Sequence, residues 1–535
     1  MAPWWNFLMT AMETRTPGHL FMVKADVSTI DCDAWLLPTD LPFKVNEGFA
    51  AAVGLTQAGY LQGFRWDRRA VPFNPRSDDG KPLVVLGKIG KAQAVSPADV
   101  DEQVADLVRV VGEFIDVAKA NRKAKGELLR LALPVIGTRD GGLSDAKGHA
   151  IKRLISELRA QARDTGVDIV LCADNDVTWS AIQKAREDDE SAWGLTGQER
   201  RLAIQLAKAA RAGQLVLFIG AGVSSDAGLP GWQELLNRIR PTKLSDEQRA
   251  GFEKLDFRDQ ATLIEQDLGS PAELRKRIEQ ELDGYQYIGL THALLASLGV
   301  RESITTNYDK LYERACTKRG HTVDQDLVVL PYHRAVEGRP WLLKLHGSVD
   351  QHDHIVLTRS DYLKLARDRS ALFGIVQALL ATKHLLFVGY SLTDEDFHRL
   401  IDEIRIAIDP IKEESSDELG TVLTIQDTPL DKLWKGLLQI HRIGSGSIGP
   451  SGRRVQIILD RVAHLATPYA SYLLDSSFEG LLSPDEIEIA RALQGLERSV
   501  EKILEKDARQ PTALAVQQVL ERFGSTDRDS RRSGK

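Results

Sequence analysis

Short apolar runs alternate with longer stretches in which apolar residues recur every three or four positions, and the alternation repeats along most of the chain. Between residues 20 and 190 the short runs are LFMVKADV, AWLLP and LVVLGKIG. Val100 to Lys119 then carries Val, Leu and Ile at helical spacing. LLRLALPVIG is strongly apolar and ends at glycine, as buried parallel strands do. Ala146 to Thr165 returns to helical periodicity, and VDIVLCAD is the next strand. TGQERRLAIQLAKAARA opens on Thr196 with Glu199 three residues later, a capping box, and predicts a linking helix. A second series begins at LVLFIG, and residues 233 to 299 are mostly helical with caps at Ser245 and Ser270. ESITTNYD, WLLKLHGS, HLLFVGYS, LGTVLTIQ and VQIILD then read as strands. Two helices follow, one starting near Ser483-Pro484 and one near Pro511.

The pattern predicts an α/β protein with two α/β domains and C-terminal helices. The expected divisions are an arm at 1–19, an α/β domain at 20–190, and a linker helix at 195–212. A doubly wound domain at 213–475 with a helical insertion, a helical extension at 480–523 and a disordered tail at 524–535 complete the series.

Composition narrows the classes. The chain has 535 residues, 43 % of them hydrophobic and 27 % charged, as in folded globular proteins. No run approaches about 18 uninterrupted apolar residues, so no membrane span is expected. The apolar N-terminus lacks the basic start and small-residue cleavage site of a secretory signal, and the expected location is cytoplasmic. A net charge of −7 argues against a general nucleic-acid binder. Cys32, Cys172 and Cys316 are too far apart for a Cys-x-x-Cys zinc pair or a disulfide framework.

The sharpest chemical feature is the strand Leu215–Ile219 running into Gly220-Ala221-Gly222-Val223-Ser224, with Gly228 further on. Glycines at a strand end allow close backbone approach, and a following helix directs free N–H groups at an anion. The spacing is not Gly-x-Gly-x2-Gly and no Gly-Lys-Ser/Thr follows, which disfavours a P-loop ATPase. Three more strand ends carry chemistry: Thr305-Thr306-Asn307-Tyr308-Asp309, Lys344-Leu345-His346-Gly347-Ser348 and Gly389-Tyr390-Ser391. In an open α/β sheet all four would face one crevice beyond the strand ends. Ordinary roles are also available. Asn307 and Asp309 are good helix caps, His346 fits a core histidine, and Asp394, Glu395 and Asp396 fit first-turn charges better than a metal site. His352 and His354 suit a solvated turn.

These four segments, in this order, resemble the sirtuin family, specifically its bacterial defence-associated branch, over about residues 213 to 470. The resemblance implies a sirtuin/Rossmann-like sheet and NAD+ as substrate. It implies that Gly220, Ala221, Gly222 and Ser224 hold the NAD+ phosphates, with Thr306 and Gly347 lining the nucleotide site. Asn307 would lie against the nicotinamide ribose, Asp309 would organise the pocket, and His346 would be the base on a ribose hydroxyl. Gly389 and Ser391 would contact the nucleotide. Lysine deacetylases of the family carry a four-cysteine zinc module that three scattered cysteines cannot build, so no zinc is expected. Gly231-Trp232-Gln233 stands where those enzymes have an acid-aromatic-arginine run.

The implied activity is hydrolysis of NAD+ to nicotinamide and ADP-ribose, in an abortive-infection effector released by a phage-derived trigger or a partner such as an ATPase. Homo-oligomerisation through the arm or the C-terminal helices is expected to restrain it. Two other readings remain open: an NAD+ or ADP-ribose binder without turnover, and a deacylase or ADP-ribosyltransferase.

Asp26-Val27-Ser28, Asp33-Ala34 and LALPVIGTRDGG, with Gly137, Thr138, Gly141 and Gly142, resemble in part the strands and phosphate loop of a macrodomain. The match covers about residues 20 to 188, with Ala25 for the leading glycine and Thr39-Asp40 where the family often has Asn. It implies a three-layer unit and an ADP-ribose-like ligand; a scaffold without ligand is the alternative.

Overall fold

The computed structural model describes residues 16–524 apart from 75–79, 90–92, 95, 139–141, 187–189, 242–244, 352–353, 393–394, 409–417, 427–428 and 469. Most of the N-terminal arm, the tail beyond Gly524, Gly141, His352 and Asp394 lie outside the described residues, as do the side chains of Glu395 and Asp396. The chain divides into two compact units: 1–28, 32–194 and 467–535 form one, and 29–31 with 195–466 the other.

In the first unit the strands are β1 (Leu20–Lys24), β2 (Ala34–Thr39), β3 (Lys44–Val45), β4 (Gly59–Tyr60), β5 (Ala70–Pro72), β6 (Leu83–Lys88), β7 (Arg130–Pro134) and β8 (Asp168–Ala173). Six of them make one sheet in the order β1-β8-β7-β2-β6-β5, parallel except for β5 against β6. β3 and β4 pair as a separate antiparallel ribbon. Helices 97–121, 147–165 and 176–185 pack on the sheet, and their amphipathic spacing is what the sequence displays. Asp33 is buried, and its carboxylate accepts the backbone N–H groups of Lys125 (3.1 Å) and Arg130 (2.8 Å), tying two loops to the start of β2. Burial raises its pKa, and those two N–H groups pull the other way. Asp26 accepts from the N–H (3.0 Å) and hydroxyl (2.8 Å) of Ser28, a local turn. Gly137 and Gly142 have φ of +84° and +90°, so the loop after β7 needs glycine at both.

The C-terminal helices 484–506 and 511–520 belong to this unit. Lys147 meets Asp475 at 2.9 Å, Lys184 meets Glu486 at 2.6 Å, and Ser180 Oγ donates to Pro468 O. Gly148 lies so close to the Phe478 carbonyl that a Cβ there would sit 2.6 Å away.

The second unit contains β9 (Leu215–Ile219), β10 (Glu302–Thr305), β11 (Val328–Leu330), β12 (Trp341–Lys344), β13 (His384–Val388), β14 (Gly420–Thr424) and β15 (Leu438–Arg442). Their order is β11-β12-β10-β9-β13-β14-β15, all parallel. The chain runs outward from β9 through β10 to the edge strand β11, steps back into β12 between them, and then crosses to the other side of β9 as β13. The order therefore reverses between β9 and β13, the switch point at which such sheets bind ligands. Every residue of β9 is buried, as a central strand covered on both faces must be.

The helical insertion is present, with Ser245 and Ser270 capping helices as their sequence context predicts, and Thr196 and Glu199 form the expected capping box. VQIILD is not a strand. It lies in helix Ile448–Ala466, which is buried at every position from Val455 to His464. Its buried positions include Gln456, Asp460, Arg461 and His464, and a six-residue window is too short to show their helical spacing, so the apolar run Ile457-Ile458-Leu459 reads like a core strand. The sheet closes instead with β15, and β11 adds an unforeseen edge.

Candidate functional site

Register assembles the site. Ile219 pairs with both Thr305 and Val388, and Thr305 pairs with Lys344. These four residues form one row across the sheet, so Gly220, Thr306, Leu345 and Gly389 begin the next row beyond the strand ends. The four predicted segments thus emerge together, as parallel strands require.

At the switch point the loops after β9 and β13 are in backbone contact. Gly220 N donates to Val388 O and Gly222 N donates to Gly389 O, both at 2.9 Å. A Cβ on Gly220 would lie 2.3 Å from the Gly389 carbonyl, and one on Gly389, whose φ is +65°, would lie 2.5 Å from Val223 N. Both positions therefore require glycine for packing alone. Ala221 and Gly222 are exposed at the turn. The α-helix that follows is a single turn, Ala221–Ser224, so its N-terminal dipole is small compared with the helix expected there. Ser391 is exposed, and Leu392 after it holds φ +56°, a conformation an apolar branched residue rarely adopts. Packing of the Leu392 side chain in the core and a 2.7 Å bond from His398 Nε2 to its carbonyl keep it there.

Asn307 and Asp309 converge on Ser224. The Ser224 hydroxyl donates to Asp309 Oδ2 at 2.8 Å and accepts from Asn307 Nδ2 at 3.1 Å. Asn307 Nδ2 also donates to Gly220 O at 3.2 Å. A carbonyl can only accept, so the amide orientation is fixed and Oδ1 points elsewhere. That Oδ1 is buried and has no hydrogen-bond partner. A buried acceptor left open costs free energy unless a ligand or water satisfies it. Asp309 Oδ1 accepts from Leu311 N at 3.0 Å, at the start of helix Leu311–Cys316, while Oδ2 accepts from Ser224. Ser224 is buried and its hydroxyl is committed to Asp309 and Asn307.

His346 is buried two residues beyond β12. Its ring meets Tyr362 edge-on at 5.4 Å, with Tyr362 Oη 3.5 Å from Nδ1. Its backbone is held from the other side: Val356 N donates to His346 O at 2.8 Å, and Arg369 donates to the carbonyls of Leu345 and His354. Gly347, at φ +101°, passes so close to His354 that a Cβ would lie 2.2 Å from its carbonyl oxygen. His346 and Thr306 share a small cavity with Phe218, Phe373, Tyr390 and Phe397. The imidazole is therefore presented from an apolar wall.

Three residues outside the predicted set complete the site. Lys344, fully buried, donates to Tyr308 O (3.2 Å), Asp309 O (2.6 Å) and Glu313 Oε1 (2.8 Å). It clamps the Asn307–Asp309 turn from beneath, with Glu313 balancing its charge. A lysine closing a buried strand was a visible signal, because buried lysine needs a partner. His292 Nε2 lies 3.4 Å from Ser224 Oγ and its Nδ1 has no partner. Burial pushes its pKa below the ordinary histidine value, against the pull of Asp309 and Asp226. Unfolded chain then takes up a proton below about pH 6.5 that the folded protein resists, so stability is lost as pH falls from there. Thermal unfolding between pH 7 and 5 should show this loss, and His292→Gln should make it smaller.

Among the described residues no group of three or more His, Cys, Asp or Glu side chains could hold a metal ion, and no helix is long and apolar enough to cross a membrane.

The SIR2-like domain family matches residues 301–432. This chain is similar to the NAD(+) hydrolase ThsA of Enterococcus faecium, 30 % identical over 210 residues, 38 % of this chain and 42 % of that protein. It is similar to Defense-associated sirtuin 2 of Bacillus subtilis, 25 % identical over 212 residues, 38 % of this chain and 20 % of that protein. The ThsA of Bacillus cereus (strain MSX-D12) is 29 % identical over 196 residues, 36 % of this chain and 40 % of that protein. The match thus spans less than half the length of each of these curated relatives. Among solved structures, a chain described as "The Structural basis for Sirtuin Substrate affinity" aligns at 16 % identity with a TM-score of 0.28, over 49 % of this chain and 97 % of its own. The C-terminal half of the chain carries a SIR2-like domain.

Proposed function

We infer that the second unit hydrolyses NAD+ to nicotinamide and ADP-ribose. The observation that carries this reading is the open Asn307 Oδ1, held with Asp309 on Ser224 beyond the end of β10, next to the strand β12 that leads to His346. The similarity to the NAD(+) hydrolases ThsA supports it as well.

In the reaction the bond between ribose C1′ and the nicotinamide nitrogen breaks, and nicotinamide leaves neutral with the electron pair. A water oxygen bonds to C1′ and its proton is lost. Because the leaving group is cationic before departure, no strong acid is needed. The protein's task is to place water and ribose and to stabilise positive charge developing at C1′. The Asn307 carbonyl oxygen suits both, as a fixed partial negative charge and as an acceptor for the attacking water or a ribose hydroxyl. Asp309 and Ser224 hold that amide in place. His346 acts as the base, receiving a proton from the ribose or water. The exposed turn at Ala221 and Gly222 would take the phosphates, with Gly220 and Ser224 behind it. Thr306, Gly347, Gly389 and Ser391 would line the nucleotide.

Three cysteines cannot form the four-cysteine zinc module of the family's lysine deacetylases, which favours water over an acyl-lysine as acceptor. Incubation with NAD+ should give nicotinamide and ADP-ribose in equal amounts whether or not an acetyl-lysine peptide is present. Nicotinamide release that depends on the peptide would identify a deacylase instead, and persistent binding without release would identify a regulatory module.

The wider reading is an anti-phage effector, cytoplasmic and homo-oligomeric, held inactive until a phage-derived trigger or partner such as an ATPase releases it. The relative named Defense-associated sirtuin 2 supports that setting. The first unit is read as macrodomain-like, with its glycine loop at Gly137 and Gly142 offered to an ADP-ribose-like ligand.

A further inference from the structure

The imidazole of His346 arrives from the end of β12, but the group that meets one of its nitrogens comes from a different element. Tyr362 stands in the first turn of helix Arg359–Asp368, half-buried, with its Oη 3.5 Å from His346 Nδ1 and its ring at 76° to the imidazole. That turn is firmly built. Thr358 Oγ1 accepts from Asp361 N at 3.3 Å and Asp361 Oδ2 accepts from Thr358 N at 3.0 Å, a capping box that fixes where the helix starts.

Helix Phe257–Leu268 of the insertion braces the same turn. Arg359 pairs with Asp259, and Arg359 N donates to Thr262 Oγ1 at 3.2 Å. Phe257 meets the Tyr362 ring edge-on at 5.9 Å, and the Arg258 guanidinium lies 5.4 Å from the centre of that ring. Asp256 holds the guanidinium through two bonds of 2.8 Å. An aromatic ring packed by a neighbouring ring and a fixed cation has a defined direction, so Oη is aimed and not merely nearby.

A general base needs an orienting partner as well as a reachable proton. Neutral imidazole carries hydrogen on one nitrogen and a lone pair on the other, and the bond made by the first decides which nitrogen can accept. A tyrosine hydroxyl can play either part. If Nδ1–H donates to Tyr362 Oη, the lone pair stands on Nε2. When Nε2 takes a proton from a ribose hydroxyl or water, the electron pair stays on that oxygen and the ring becomes a cation. The bond to Tyr362 is then charge-assisted and stronger than before. Catalytic hydrogen bonds of this length commonly tighten when substrate fills the site. We propose that Tyr362 is the positioning residue of His346: its hydroxyl accepts Nδ1–H, makes Nε2 the proton acceptor and steadies the imidazolium. The proposal rests on the reading of His346 as the base.

A double-mutant cycle on nicotinamide release tests it, with the purified full chain and with the same proteins in lysate from phage-infected cells. Tyr362→Phe keeps the ring, its packing on Phe257 and its place beside Arg258, and removes only the hydroxyl. Its kcat should fall about 10- to 100-fold, the worth of a hydrogen bond to a charged group, while KM for NAD+ and Tm stay at the wild-type values. Added to His346→Ala, the same substitution should change nothing, because no imidazole is left to position. A purely structural role gives the opposite pattern, with Tyr362→Phe fully active and only Tyr362→Leu impaired. A fully active Tyr362→Phe beside an inactive His346→Ala would overturn the proposal alone. So would a loss of the same size with and without His346. Undiminished turnover in His346→Ala, or none in the wild type even in infected lysate, would overturn the reading of the site and this proposal with it.

Discussion

Replacing His346 with alanine is expected to lower nicotinamide release about 10²–10⁴-fold, the usual contribution of a positioned general base. The imidazole is buried against an apolar wall and its backbone is fixed by Val356 and Arg369, so the ring can be removed without releasing the loop that carries it. The variant should keep its fold and its capacity to bind NAD+, because the exposed turn after β9 lies on another strand end. Nicotinamide quantified over time, alongside NAD+-dependent thermal stabilisation, checks both halves. Undiminished turnover in a folded variant would remove His346 from the mechanism.

Lys344→Met is expected to be the most destabilising single change in the second unit, by about 3–5 kcal/mol. Methionine matches the length of the lysine stem but supplies no donor. Glu313 would be left as a buried charge without its cation, and the Tyr308 and Asp309 carbonyls would lose their shared partner. Adding Glu313→Leu should restore part of the loss by removing the stranded carboxylate, while the two carbonyls account for the remainder. Denaturant unfolding of the three proteins measures this directly. A double variant no more stable than Lys344→Met would mean that the ion pair is not what holds the turn.

Much of the second unit was legible because its candidate chemistry sits at strand ends. Each of β9, β10, β12 and β13 is a short buried run that stops at glycine, threonine or lysine, and parallel register then aligns the following residues without further information. What stayed hidden depends on contacts distant in sequence. The Lys344–Glu313 pair and the His292–Ser224 contact join residues 31 and 68 positions apart, and neither residue's neighbours announce the partner. The C-terminal helices were legible as helices from Ser483-Pro484 and Pro511, but not their place in the first unit. The bond from Ser180 to Pro468 that ties them there spans 288 positions. VQIILD misled for a different reason: a short apolar run cannot by itself distinguish a buried helix from a core strand, and the helical spacing of buried Gln456, Asp460 and His464 shows only over a longer window.

The central claim is that NAD+ is cleaved beyond the ends of neighbouring strands β10 and β12, by Asn307, Asp309 and His346. It is tested most directly by chromatographic measurement of NAD+ loss in the purified wild type and in Asn307→Ala, with nicotinamide, ADP-ribose and its cyclic form quantified. The same pair should be assayed in lysate from phage-infected cells, so that a restrained enzyme meets its trigger. Loss of NAD+ with matched nicotinamide in the wild type, and none in the variant, is the predicted result. Equal loss in both proteins, or none in the wild type even in infected lysate, would contradict it.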